Sequence, residues 1–383
     1  MKKILSVLLA ASMLFALAAC GQTATTPVET QGVTPTAAVA QETTPIVDTP
    51  AEPYTITDML GRTVEIPAEI NTIAAINSAA RFLTYAGAAE KLIGVTDLDK
   101  QGEVGMPYAY ANKTHFAELS ATGSGGSGDT TYTEELVTLA PDLIFAYTSD
   151  VAALDDISRQ TGLPIVGLYA TDMFAQDFLD SLTLIGSIMG TEEQAAKVVA
   201  AIQGWQKDLN DRTKDIAEEN KPSVYMGAMG FRGAHGFEGT CGLYPPFVAI
   251  HANNVVDETG ESGAMLIDLE KITVWDPEII FINPSSMYLV NENYAVNAAF
   301  YDNLTAVKEG KLYSQVSYNY NSTNMEIAIA DAYYAGCIIY PEAFADIDFK
   351  AKAEEIFTTM LGMEYLPVLD GAAIGFGALK IGE

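Results

Sequence analysis

The chain has 383 residues, of which 49% are hydrophobic and 18% charged. That is enough for two globular domains with a core in each, and it is not the composition of a disordered polymer. Asp and Glu number 50 against 20 Lys and Arg, for a net charge of −30; the few basic residues are scattered, which excludes a phosphate-binding surface for nucleic acid.

Lys2 and Lys3 precede an apolar run from Ile4 to Ala19, broken by Ser6 and Ser12. A charged start, a short apolar stretch and small residues make a secretory signal, and the run is short for a membrane span. It ends in Leu17-Ala18-Ala19-Cys20-Gly21, which resembles a bacterial lipobox. That resemblance implies a signal over residues 1–20 and a lipid anchor at Cys20, on the extracellular face of the cell membrane. Residues 21–53, rich in Thr, Pro, Ala, Gln and Val without periodicity, read as a flexible tether. Two further cysteines, Cys241 and Cys337, lack zinc-binding spacing and read as buried thiols; an exported chain can also pair them.

The folded part opens at Tyr54. Alternation over Thr63–Ile66 after the Leu60-Gly61-Arg62 turn predicts a hairpin. NTIAAI is a buried strand, SAARFLTYAGA a helix, KLIGVT a strand, TEELVTLA a short helix and DLIFAYT a strand. ALDDISRQTG then reads as a helix, LPIVGLY as a strand and FLDSLTLIGSIMG as a helix. Strands alternating with helices predict parallel βαβ units. A long helix follows, capped by Thr191 and apolar at Ala195, Val198, Val199, Ile202, Trp205, Leu209 and Ile216. From Glu192 to Glu219 it spans about 42 Å, and Lys221-Pro222 ends it. Alternation then restarts through SVYMGAM, a loop, PPFVAIHANN, LEKITVW, EIIFIN, AAFYDNL and KLYSQV, before a helical stretch from Asn324 to Ile339. The expected fold is α/β: two doubly wound lobes, residues 54–190 and 221–383, joined by one long helix over 191–220.

One phrase occurs in both lobes. YTEELVTLAPDLIFA (132–146) and DLEKITVWDPEIIFI (268–282) each place a glutamate seven residues before a proline, an acidic residue after it, and a β-rich run next. Each reads as a short helix, a breaker and a buried strand. Glu134 and Glu270 lie near the helix starts, where the helix dipole favours negative charge. Capping accounts for an acid there, but not for a matched pair on two lobes.

TDMLGRTVEIPAEINTIAAI, the APDLIF and DPEIIFI segments and the KEGKLY turn, in this order and spacing, resemble substrate-binding proteins of ABC importers. The closest class has a rigid interdomain helix and binds ferric siderophores, haem and cobalamin; the resemblance runs from about Tyr54 to Gly382. It implies a monomeric carrier without catalytic residues or cofactor, a small metal chelate as ligand and a membrane permease dimer as partner. It also implies that Glu134 and Glu270 dock on arginines of the two permease subunits.

The same resemblance puts the ligand in a cleft between the lobes, on loops after strand C-termini, as is general for open α/β sheets. In the first lobe the candidates are Asn77, Arg81, Tyr108, Tyr110, Tyr147 and Tyr169. In the second they are Phe231, Arg232, His235, Tyr244, Tyr288, Tyr318 and Tyr320. Tyrosine offers a flat apolar face with a hydroxyl tip, and arginine offers fixed donors for chelate oxygens. The chain has 19 Tyr and 2 Trp, which favours a tyrosine-lined site; packing is the ordinary role of any single one. Only three histidines occur, so His235 with Glu238 is a poor metal centre and His235 reads as a hydrogen-bonding contact. Gly123–Gly128 matches G-x-G-x-x-G, but it follows no buried strand and reads as a loop. A bare-metal carrier using tyrosinate and carboxylate stays open as an alternative. An extracellular enzyme ranks last, for want of a nucleophile–base pair in any recognisable motif.

Overall fold

The computed structural model describes residues 52–382. The signal, Cys20 and nearly all of the tether therefore lie outside the described residues. Among the described residues, thirteen strands are numbered in chain order. β1 (Tyr54–Thr57) and β2 (Thr63–Ile66) form the expected hairpin. Asp58 Oδ1 closes its turn by accepting from Leu60 N at 3.0 Å and Arg62 N at 2.8 Å, and Gly61 supplies the positive φ of 78°.

The first lobe is a five-stranded parallel sheet in the order β5-β4-β3-β6-β7. Its strands are β3 (Ile73–Asn77), β4 (Leu92–Val95), β5 (Ser120–Ala121), β6 (Leu143–Tyr147) and β7 (Ile165–Leu168). The chain leaves the central β3 in one direction through β4 and β5, then returns to its other side through β6 and β7. The second lobe repeats the plan with β8 (Ser223–Gly227) central, in the order β10-β8-β12-β13. Here β10 is Asn253–Asn254, β12 is Ile279–Ile282 and β13 is Leu312–Ser314. An antiparallel pair, β9 (Gly239–Gly242) and β11 (Gly263–Leu266), is added beside it. The buried apolar runs Ile73–Ile76 of β3 and Leu143–Ala146 of β6, with all of β7 and β12, are what a parallel sheet covered on both faces requires.

The helix between the lobes runs from Glu192 to Thr213, about 33 Å at 1.5 Å per residue. This is shorter than the expected span to Glu219. Thr213 Oγ1 donates back to Leu209 O at 2.8 Å and meets His251 Nδ1 at 2.9 Å, and the Ile216 N–H closes a tighter turn onto Thr213 O. Tertiary anchoring at Thr213 thus stops the ladder before Ile216, and a single 3₁₀ turn at Glu218–Asn220 leads to Pro222. Ala195, Val198, Ile202, Trp205 and Leu209 form the buried stripe of the helix.

Both copies of the repeated phrase fold alike. Thr133–Leu139 and Leu269–Trp275 are helices of seven residues, each ending in a left-handed residue, Ala140 (φ 48°) or Asp276 (φ 41°), just before the proline. Leu136 and Ile272 are the buried anchors. Cys241 and Cys337 are free thiols; burial pushes their pKa up to about 12 and about 11. The Gly123–Gly128 segment is an irregular loop, closed by Asp129 Oδ1 accepting from Gly125 N at 2.7 Å. No helix among the described residues is long and apolar enough to cross a membrane.

Candidate functional site: the cleft at the strand C-termini

The central strands of both lobes end in non-glycine residues held at positive φ, Asn77 (56°) after β3 and Ala228 (58°) after β8. Arg232 (51°), Asn321 (53°) and Ser322 (74°) share this conformation. Such backbone costs about 1–2 kcal/mol per residue and recurs at ligand clamps. Asn77 ends β3, Ala228 and Arg232 follow β8, and Asn321 and Ser322 meet the first lobe at Arg81 and Tyr147.

In the first lobe, Asn77 and Tyr147 are register partners at the ends of β3 and β6, and Tyr169 follows β7. All three are half-buried. Asn77 Nδ2 donates to Asp129 Oδ2 at 2.9 Å, and the Tyr147 hydroxyl donates to Ala170 O at 3.1 Å. Burial raises the Tyr147 pKa, partly opposed by a Ser322 hydrogen bond from the other lobe. In the second lobe, Phe231 and His235 stack with centroids 4.1 Å apart, and His235 Nε2 lies 2.9 Å from Phe231 O. Arg232, on the same loop, is exposed and has no ion pair among the described residues. Asn319 Nδ2 donates to Gly230 O at 2.7 Å, tying this loop to the 315–324 segment. Tyr244 and Tyr318 pair at 5.6 Å. Burial lifts both phenols well above their ordinary range, with the Asp331 charge adding to it.

Other expected site residues are placed elsewhere. Arg81 is 1% exposed and works across the seam between lobes: it donates to Asn321 O at 2.6 Å and Asn324 Oδ1 at 3.2 Å, and lies 4.6 Å over the Tyr108 ring. Tyr108, fully buried, donates to Asp99 Oδ1 at 2.6 Å and accepts from Asn321 Nδ2 at 3.1 Å. Both side chains are therefore satisfied internally, where the 315–324 segment folds back over them. Tyr110 packs edge-on against Tyr365 at 5.6 Å and lies under Lys113. Tyr288 is 55% exposed on the helix Met287–Asn303. Tyr320 is 40% exposed and packs against Gly105 at the seam. Glu238 accepts from Gly236 N at 3.1 Å and faces Tyr225 and Tyr301, whose pKa its charge raises after burial; it is not paired with His235.

The residues that the sequence did not single out are short and polar. Asn321 and Asn324 form the seam with Arg81. There Tyr85 donates to Glu326, a fully buried carboxyl that burial pushes up to about 7. Gln315 and Asp331, both fully buried, leave Gln315 Nε2 and Oε1 and Asp331 Oδ2 without a partner. The run Asn319–Asn324 signals a tight, polar loop, but nothing local shows which lobe it meets. Among the described residues, no group of three His, Cys, Asp or Glu is placed to hold a metal ion.

Two α/β lobes on one helix, with aromatic and polar loops converging at the strand ends, define a two-lobed binding protein. The family model described as periplasmic binding protein matches residues 79–317, and the chain belongs to that family. It is 25% identical over 178 residues to the uncharacterized ABC transporter substrate-binding lipoprotein YvrC of Bacillus subtilis (strain 168), covering 45% of this chain and 52% of that protein. It is 25% identical over 210 residues to the iron(3+)-hydroxamate-binding protein FhuD of the same organism, covering 52% and 64%. The chain thus matches between half and two thirds of the length of these curated relatives. In fold it is similar to a periplasmic solute binding protein from Veillonella parvula DSM 2008, with TM-score 0.68 and 17% identity, over 84% of this chain and 97% of that one.

Proposed function

We propose that this chain is the substrate-binding protein of an ABC importer. It captures an iron-siderophore or related metal chelate in the interlobe cleft and hands it to a membrane permease. The observation that carries the reading is the set of aromatic and hydrogen-bonding groups after the strand ends of the two lobes: half-buried Asn77, Tyr147 and Tyr169 in one, half-buried Phe231 and His235 with exposed Arg232 in the other. Large rings with polar tips and an exposed guanidinium without an ion pair suit a bulky, oxygen-rich complex. Two relatives support it, one named as a substrate-binding lipoprotein and one as an iron(3+)-hydroxamate-binding protein. The seam around Arg81 and the continuous helix favour a pre-formed cleft over wide hinge closure. Cys20 anchors the chain to the outer membrane face through the tether, and Glu134 and Glu270, both exposed, address the two permease subunits.

Titrating the purified chain with a ferric trihydroxamate, haem and a corrinoid, read by intrinsic fluorescence, tests the proposal. Saturable quenching at about micromolar concentration or below is expected for at least one of them. No binding by any chelate, with a bare ferric or divalent ion binding instead, selects the bare-metal carrier.

A further inference from the structure

The glycine loop over residues 123–128 carries Asp129 to the end of β3. At Gly125 (φ 73°) a Cβ would come within 2.7 Å of Thr96 Oγ1, so glycine is what lets the loop pack there. Asp129 Oδ1 accepts from Gly125 N at 2.7 Å and Ser124 Oγ at 3.2 Å, and its Oδ2 accepts from Asn77 Nδ2 at 2.9 Å. A carboxylate only accepts, so it fixes which end of the Asn77 amide faces it. Asn77 Oδ1 is left without a partner among the described residues. His235 is oriented in the same sense. Its Nε2 lies 2.9 Å from Phe231 O, a carbonyl that only accepts, so Nε2 carries the hydrogen. In the neutral imidazole Nδ1 is then an acceptor, and it too has no partner among the described residues. Tyr147 donates to Ala170 O at 3.1 Å, which leaves its oxygen to accept.

One short segment brings these groups together. Asn319 Nδ2 donates to Gly230 O at 2.7 Å, beside Phe231. Two residues on, Asn321 Oδ1 accepts from Gly126 N at 3.2 Å, and its carbonyl accepts from Ser78 Oγ at 3.4 Å, beside Asn77. Residues 319 and 321 are at most about 7 Å apart, so the His235 loop and the Asn77 loop meet across the same segment. Among the six candidates after the strand ends, the donors are Arg232, exposed on the His235 loop, and the Tyr169 hydroxyl. An acceptor stripped of water and offered no donor is penalised, so such a site discriminates against ligands without N–H or O–H groups. Resting on the chelate reading above, we infer that Asp129 is a positioning residue. Acting through Asn77, it makes the cleft a reader of hydrogen-bond donors on the rim of the chelate, with Asn77 Oδ1 and His235 Nδ1 as the accepting atoms.

The test uses two matched pairs of probes on the full chain. One pair is a ferric trihydroxamate with secondary-amide N–H groups and its N-methylated form. The other is a corrinoid with carboxamide side chains and its methyl ester form. Dissociation constants are measured on the wild type, Asp129→Asn and Asn77→Gly, with thermal unfolding to check that each folds. The amide introduced by Asp129→Asn keeps an acceptor for Gly125 N and offers a donor to Asn77, which turns the Asn77 amide round. In whichever pair binds, the donor-bearing member is at least about tenfold tighter on the wild type. Asp129→Asn, and Asn77→Gly, which suits the positive φ, each narrow that gap by about threefold or more. Equal affinity within a pair on the wild type overturns the inference. So does a gap that neither variant narrows, since shape then selects. So does an Asp129→Asn variant that weakens both members alike, a purely structural loss. If Asp129→Asn does not fold, Asn77→Gly alone decides. If haem, whose polar rim carries only carboxylates, binds and neither pair does, the inference falls and the chelate reading stands. If no probe binds, both fall.

Discussion

The two copies of the helix–proline–strand phrase agree at one end and part at the other. At the agreeing end, the acid after each proline clamps the start of the neighbouring central strand. Asp142 Oδ2 accepts from Asn71 N at 2.8 Å, Thr72 N at 2.9 Å and Thr72 Oγ1 at 3.0 Å. Glu278 Oε1 accepts from Ser223 N at 3.0 Å, and each acid returns its own N–H to the same strand start. At the other end, β6 closes on Tyr147, half-buried in the cleft. The equivalent residue after β12, Asn283, is buried and caps the turn at Pro284–Ser286. The part of the repeat that builds the sheet is duplicated; the part at the strand C-terminus has diverged. A duplicated acid and helix at the scaffold end also leave matched glutamates, Glu134 and Glu270, on two separate surfaces.

Removing the shared anchors gives the largest expected effect. Leu136→Ala and Ile272→Ala each cost about 3 kcal/mol, by lost burial and the cavity left behind. Urea unfolding that shows a loss in only one lobe breaks the equivalence of the two copies. The clamps come next. Asp142→Ala costs about 2 kcal/mol and Glu278→Ala about 1 kcal/mol, because the first leaves three donors unpaired and the second fewer.

The same carboxyl predicts an acid dependence. Backbone N–H groups, Thr72 first, hold Asp142 below its ordinary pKa. A depressed folded-state pKa adds stability that is present above the unfolded value of about 3.9 and is lost as pH falls through the folded value. The stability difference between wild type and Asp142→Asn therefore shrinks as pH drops below about 4. A difference that stays constant through this window contradicts the clamp.

The smallest effects separate the left-handed caps. Ala140→Gly relieves its positive φ and stabilises by about 0.5 kcal/mol. Asp276→Gly destabilises by about 1 kcal/mol, since Asp276 also accepts from Thr305 N at 2.7 Å and Thr305 Oγ1 at 2.6 Å. The same sign at both positions shows that the caps are not differentiated in this way.

What the sequence shows of this fold is what local physics controls. Alternating apolar strands, amphipathic helices and proline breakers reveal both sheets, the helix between them and the repeated phrase. The fate of Arg81 was not legible. It stands four residues past the end of β3, where a ligand contact is expected, but its partner Asn321 lies 240 residues away. Only tertiary folding brings that loop back to cover it. The end of the interlobe helix was hidden for the same reason: Thr213 meets His251, a residue from a distant loop. The strand-end positions of Asn77, Tyr147 and Tyr169 were legible because they close or follow strands that are themselves legible.

The measurement that most directly tests the separation of cleft from scaffold is the dissociation constant of a neutral ferric trihydroxamate. It is taken side by side on Tyr147→Ala with Arg232→Gln and on Glu134→Arg with Glu270→Arg. The cleft pair weakens binding by about tenfold or more, and the charge-reversed pair binds as the wild type does while uptake into cells is lost. Wild-type affinity in the cleft pair, or lost affinity in the charge-reversed pair, contradicts the account.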